Sequence, residues 1–221
     1  MSTNNFQNQA YESIKNAILS AELVPGTRIS EKEFEEQLKM GRTPIREAII
    51  RLRREELVRV IPQSGTYVAK INIQQIEEAR FVRETLEKSI FVLACDLATE
   101  EHYQALEKLL VLQKTYASLK DETNFFQLDE EFHHLVYQIA NKNHVWNWLQ
   151  SINLQLNRFR FLRLEVAGLS WEVILTDHEE ILQALKERNK DKVAKLVGTH
   201  IDVIDNDLKV VTQAFPDYFE D

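Results

Sequence analysis

The chain has 221 residues and a mass of 25.9 kDa. At about 150 residues per domain that means one large domain or two small ones. A hydrophobic content of 44% with 28% charged residues excludes global disorder, and five Gly with four Pro are too few turn formers for an all-β fold, so long helices are expected.

No apolar run reaches the roughly 18 residues of a membrane span. The start, MSTNNFQNQ, has neither the basic nor the apolar region of a secretory leader. The single cysteine, Cys95, cannot form an internal disulfide or a cysteine-based zinc site, and within IFVLACDLA it reads as a small buried hydrophobe. These features point to a cytoplasmic protein with no membrane partner.

The net charge of -8 is unevenly spread. Residues 1–70 hold 11 basic and 9 acidic side chains, whereas residues 71–221 hold 16 and 26. Within 39–59 the balance is 7 basic to 3 acidic. A local basic patch on an acidic chain suits a small DNA-reading module joined to a body that stays off DNA.

In chain order, Tyr11, Ile14, Ile18 and Ala21 predict a helix over 7–21, ended by the turn at Pro25-Gly26. Ser30-Glu31-Lys32-Glu33 is a capping box that opens a second helix carrying Phe34 and Leu38 and stopping near Met40-Gly41. A third helix opens at Thr43 with Pro44 as its first helical residue. Ile45, Ile49 and Leu52 form its apolar stripe, leaving Arg42, Arg46 and Arg53 off it. Residues 58–61 and 66–69 then read as two short strands joined by a Pro62-Gln63-Ser64-Gly65 tip, with Gly65 supplying a positive φ. This order is that of a winged helix-turn-helix, in which a helix enters the major groove while flanking elements grip phosphates.

From residue 72 onward the period is helical, predicting six helices over 74–98, 100–120, 122–141, 143–165, 170–188 and 190–212, with Thr99, Asp121 and Ser170 as N-caps. Short connections predict antiparallel neighbours in an all-α bundle. The expected domains are 1–71, the winged helix-turn-helix, and 72–221, the helical domain. Ile71–Ile73 is so short a join that the two should lie close together.

The six histidines sort by helical angle. On 122–141 the core stripe is Phe125, Leu128, Phe132, Leu135, Val136 and Ile139. Asp129 and His133 fall beside it, whereas His134 faces water. His178 lies at the centre of the Ile181, Leu182 and Leu185 face, and His200 lies within the Val193, Leu196, Val197 and Ile204 face. Three imidazoles and a carboxylate turned inward can hold Zn, or Ni, Co, Mn or Fe(II). Core histidines with ordinary hydrogen bonds would give the same angles. His102 and His144 read as surface residues, and Trp146, Trp148, Phe159 and Phe161 as core and pocket wall.

The stretch VPGTRISEKEFEEQLKMGRTPIREAIIRLRREELVRVIPQSGTYV resembles the DNA-binding domain of the GntR superfamily. RETLE at 83–87, DEEFHHLV at 129–136, HEEILQAL at 178–185 and the late His200 are similar to the helical effector domain, called FCD, of its FadR-like branch. The resemblance implies a homodimeric regulator, repressor or activator, that binds a double-stranded, roughly palindromic operator. It implies DNA contacts at Lys32, Arg42, Thr43, Arg46, Gln63, Ser64 and Gly65, and a divalent metal, zinc foremost, on Asp129, His133, His178 and His200. Two departures stand out: Gly41, where the family often has Ser, and Lys32, where a relative carries Arg and a bidentate contact is lost. A small organic-acid effector would bind in the helical domain, and Arg83, or else Arg160, would meet the other end of that ligand. Two other functions compete: a metal sensor with the same ligands, and a metal-dependent hydrolase, which would need an additional inward carboxylate as general base. No such carboxylate is evident, so the chain is not expected to be an enzyme.

Overall fold

The computed structural model describes residues 3–220. The first half contains α1 (Thr3–Leu19), β1 (Arg28–Ile29), α2 (Glu31–Leu38), α3 (Arg42–Arg54), β2 (Val58–Ile61) and β3 (Gly65–Val68). Ala10, Tyr11, Ile14 and Ile18 of α1 recur at helical spacing and interlock with Ile45, Ala48, Ile49 and Leu52 of α3 in one buried core. The Tyr11 hydroxyl reaches the Glu55 carboxylate at 2.7 Å, and the Arg51 guanidinium lies 3.5 Å over the Tyr11 ring. The chain leaves α1 through Ala21, whose φ of 56° ends the helix short of the expected residue 21.

Ser30 caps α2 as its sequence requires, its hydroxyl accepting from the Glu33 amide at 3.4 Å. Helix α3 has Arg42 as its first residue, two earlier than the expected Pro44, with Gly41 as an N-cap that offers no side-chain oxygen. Pro44 is therefore the third helical residue, still in the first turn, where amides have no intrahelical partner. A Cβ at Gly41 would meet nothing within 4 Å, and its φ of -72° suits any residue. Gly41→Ser is accordingly expected to raise the free energy of unfolding by a few tenths of a kcal/mol, seen as a higher denaturant midpoint at unchanged slope.

The sheet has one strand more than expected. Its order is β1-β3-β2, all antiparallel, with Arg28 opposite Tyr67 and Arg59 opposite Tyr67 from the other side. A two-residue strand has no period to read, which is why β1 was invisible in the sequence. The tip is a tight turn closed by Ser64 N–H to Ile61 C=O at 3.1 Å, with Gln63 at φ 63° as well as Gly65 at φ 146°.

The second half is all helical: α4 (Ile73–Leu97), α5 (Glu100–Leu119), α6 (Glu122–Ile139), α7 (Asn143–Ile152), α8 (Leu154–Glu165), α9 (Glu172–Lys186) and α10 (Lys190–Ala214), followed by a 3-10 turn at Pro216–Tyr218. The helix expected over 143–165 is two helices. At Asn153 (φ -82°, ψ 5°) the ladder breaks, because one residue cannot keep helical ψ while the chain swings inward. The reason for the swing is α8 itself, which is buried almost all round and runs through the middle of the bundle, against α1, α4, α6, α7 and α10. Trp148, expected in the core, is instead 56% exposed on α7, while Trp146, Phe159 and Phe161 are buried. Asp121 caps α6 at 2.9 Å, and the Ser170 hydroxyl accepts from Glu172 at 3.1 Å just ahead of α9.

The halves touch directly. Leu154 of α8 belongs to the same core as α1 and α3. The Arg158 guanidinium, fully buried, donates to the Ala69 carbonyl at 2.7 Å and to the Gln155 side chain at 3.1 Å. The end of the chain straps the join, Ile71 pairing with the 218–220 segment through N–H···O bonds of 2.8 and 2.9 Å.

Candidate metal centre and DNA-reading face

Helical periodicity puts Asp129 and His133 one turn apart on the inner side of α6. His178 projects from α9 and His200 from α10. One ligand atom from each of the four lies within 4.8 Å of all the others. Asp129, His133 and His178 are buried and His200 nearly so, with 10% of its side chain exposed. The imidazole rings stand 4.7 to 5.3 Å apart, and His178 stacks on Phe132 at 4.2 Å.

Each imidazole is oriented from behind by an oxygen at its Nδ1. His133 Nδ1 lies 2.8 Å from Glu87 Oε2, His178 Nδ1 lies 3.2 Å from Gln113 Oε1, and His200 Nδ1 lies 3.1 Å from Asp177 Oδ2. At His178 and His200 an acceptor at Nδ1 can take the proton there and leave the Nε2 lone pair facing the centre, whereas His133 Nδ1 and Glu87 Oε2 are close without meeting in hydrogen-bond geometry. The Nε2 atoms of His133 and His178 are buried without a hydrogen-bond partner. Orphaned buried acceptors of this kind are costly unless something coordinates them. Burial holds the His133 imidazole below its usual range against the pull of Glu87, and burial, then the neighbouring His200, holds His178 well below. Burial alone would raise the Asp129 carboxyl, but Arg160 and the three imidazoles outweigh it and keep it ionised. Three imidazoles and one carboxylate form the N/O donor set that a divalent cation takes, so the residues present fit such a group.

Glu87, Gln113 and Asp177 were not singled out in the sequence. Glu87 could have been, since it stands i+4 from Arg83 in RETLE. It is wholly buried, accepts from Arg83 Nε at 2.8 Å, and is lowered to about 2 because Arg83 and His133 together outweigh its burial.

A cavity adjoins the cluster. Its wall includes Asp129, His200, Arg83, Arg160 and Arg163, with Phe125, Phe126, Leu164, Ile174, Ile201 and Ile204 supplying apolar surface. Arg83 and Arg160 therefore both face the same space. Arg160 is already engaged with Asp129, Glu130 and Asn157 and lies 4.9 Å over the Phe126 ring. Arg163, which the sequence did not flag, pairs with Asp207. Arg83 Nη2 and Arg163 Nη1 are buried donors without an acceptor. His134 lies outside this centre, bonded to Asn143 at 2.7 Å and stacked on Trp146, and His102 sits at the start of α5 with its Nδ1 accepting from the Thr99 amide at 3.1 Å.

At the other end of the molecule Lys32, Arg42, Thr43, Arg46, Gln63 and Ser64 are exposed and Gly65 is half-buried. Lys32, Arg42 and Gly65 line one groove between α2, the start of α3 and the wing. The apolar side of α3 faces the core, which leaves Arg42 and Arg46 exposed on its outer side.

Comparison with known proteins agrees with this architecture. Residues 6–68 match the model of bacterial regulatory proteins of the gntR family, and residues 78–203 match the FCD domain. The HTH-type transcriptional repressor RspR of Escherichia coli is 30% identical over 213 residues, covering 96% of this chain and 93% of that one. The gluconate operon transcriptional repressor of Bacillus subtilis is 27% identical over 198 residues, covering 86% and 79%. Among solved structures, E. coli McbR/YncC superposes with a TM-score of 0.80 at 20% identity over 97% of this chain and all of that one. A putative GntR regulator from Rhodococcus sp. RHA1 gives 0.74 at 20% identity over 95% and 98%. No helix among the described residues is long and apolar enough to cross a membrane. The chain belongs to the gntR family of bacterial regulatory proteins, in the group that joins a helix-turn-helix to an FCD domain, and is a DNA-binding transcriptional regulator rather than an enzyme.

Proposed function

We propose that this regulator is a homodimeric, metal-dependent repressor released from its operator by a small organic acid. The domain division is proposed at residues 71 and 72. The single observation that carries the reading is the cavity that joins Asp129 and His200 to buried, unsatisfied guanidinium donors on Arg83 and Arg163. Such donors call for an anion. A metal sensor would need the ligand set alone, so the arginine-walled space beside it favours a carboxylate effector. Asp129, His133, His178 and His200 would hold zinc or a similar divalent ion. A cation there supplies a Lewis-acidic attachment point for one carboxylate oxygen. Arg83 and Arg163 would receive the remaining charge, Arg160 would exchange part of its contact with Asp129 and Glu130 for the ligand, and the phenylalanines would exclude water. The repressors among the relatives, one of them of a gluconate operon, make sugar acids and hydroxy acids the first class to try.

On α4, Phe81, Thr85, Ser89 and Leu93 repeat every four residues on the outer side, with Phe81 and Leu93 exposed. The Thr85 and Ser89 hydroxyls bond back to carbonyls of their own helix, leaving an uncharged stripe whose order of large, small, small, large is self-complementary about a twofold. This supports α4 as a dimer contact, which would place two α3 helices on two half-sites.

Two measurements test the reading. A duplex recovered by in vitro selection should shift with the wild-type chain, and Arg46→Ala should weaken that binding by roughly tenfold or more at unchanged melting temperature. An equal shift would remove α3 from the DNA. In a thermal-shift screen of zinc-loaded protein, at least one sugar or hydroxy acid should raise the midpoint and lower duplex affinity. If chelation alone releases the duplex and no acid acts, the metal is itself the signal.

A further inference from the structure

We infer that Arg28 on β1 is an additional DNA-backbone contact, which restores to this wing the planar cation that Lys32 lacks. The inference rests on the DNA-binding reading above and concerns a residue outside the set that resemblance marks.

Pairing opposite Tyr67 puts Arg28 on the outer face of the sheet, away from the buried side that Ile29, Val58 and Val68 occupy. From there it leans diagonally over the wing. An ideal Cβ at Gly65 would stand only 2.8 Å from Arg28 Nε and 3.4 Å from its Nη2, so the guanidinium comes close against the backbone at the wing tip. Gly65 thus has two reasons to be glycine, its φ of 146° and this close approach.

The groove that receives Arg28 is the one lined by Lys32, Arg42 and Gly65. Its other charged residues are Glu31, Glu33 and Glu35 of α2. Those carboxylates would repel an entering phosphate. Arg42 stands 3.9 Å from Glu31, and Lys32 stands 3.9 Å from Glu36, so each groove cation there has an acidic neighbour. Arg28 is exposed and forms no ion pair among the described residues. Of the three cations lining this groove it is the one without an acidic partner among the described residues, and so is open to an external anion. Lysine at 32 gives a point charge on a flexible stem, whereas the guanidinium beside the wing tip gives a planar fork matched to phosphate oxygens. A backbone contact of this kind positions the protein and is read equally at any sequence.

The experiment uses the full chain and the duplex selected by the wild type, with Arg46→Ala as the marker of the proposed reading face. Binding is measured over a range of salt. Arg28→Gln should weaken binding by roughly tenfold and lower the slope of log K against log salt by about 0.9 per chain. The loss should be the same on the selected duplex and on a scrambled one. Arg28→Met, which keeps the packing against Gly65 without the charge, should behave as Arg28→Gln and melt with the wild type. An unchanged slope in both variants would overturn the inference, as would a loss confined to the selected duplex. If no duplex is recovered, or Arg46→Ala also binds normally, the fault lies in the DNA-binding reading itself.

Discussion

Glu87→Ala is expected to lower the free energy of unfolding by about 3–5 kcal/mol, a larger loss than that of any surface charge in the chain. Glu87 has no exposed area and Arg83 only 2%. Removing the carboxylate strands a buried guanidinium and takes the neighbouring anion from His133 Nδ1. Denaturant unfolding of the metal-free protein checks this, and a loss below about 1 kcal/mol would mean that Arg83 finds another partner, Glu130 at 3.9 Å being the nearest. Glu87→Gln separates orientation from charge. It keeps the volume and one acceptor oxygen, and should leave the fold in place while weakening metal binding by about 10- to 100-fold. The same logic makes Arg83→Ala a poor probe of effector binding, since it would strand Glu87 in turn.

The second large effect is the loss of the metal response in His178→Ala. With metal at about a thousand times its dissociation constant, the wild-type chain should gain about 4 kcal/mol of stability over the chelated protein. His178→Ala removes one of four donors, and its gain under the same conditions should fall close to zero. The comparison is made between metal-loaded and chelated forms of each protein, because the variant also loses the stacking of His178 on Phe132 and so begins from a different baseline. Elemental analysis should find about one ion per wild-type chain and little in the variant. Near-stoichiometric metal in both His178→Ala and His200→Ala would refute the site.

The parts of this site legible in the sequence are those that depend on helical angle. Asp129 and His133 are one turn apart beside an apolar stripe, and His178 and His200 sit on apolar faces, so each had to point inward; the resemblance then supplied what the angles could not, that the four meet. The residues that orient them were hidden for a physical reason. Gln113 and Asp177 are single polar residues on helices rich in charge, and only a partner 65 or 23 residues away gives either its role. The break at Asn153 was hidden as well. The run from 143 to 165 keeps a continuous apolar content on both sides of it, and nothing local says that α8 must turn into the centre. The first half was read almost completely, because caps, turns and a hairpin are short-range devices. Only β1 escaped, and with it the place of Arg28.

Helix α8 has one more consequence. Twelve residues make a rod of about 18 Å. Leu154 seats one end of it among the side chains of the DNA-reading core, Arg158 bolts its middle to the Ala69 carbonyl, and Arg160 and Arg163 stand at the cavity. A rod so mounted cannot tilt at one place only. On the proposed function, a ligand that drew Arg160 from Asp129 would also load the join at Ala69, and the stiffness of α8, rather than any relay of charges, would link an occupied cup to the angle of a reading head.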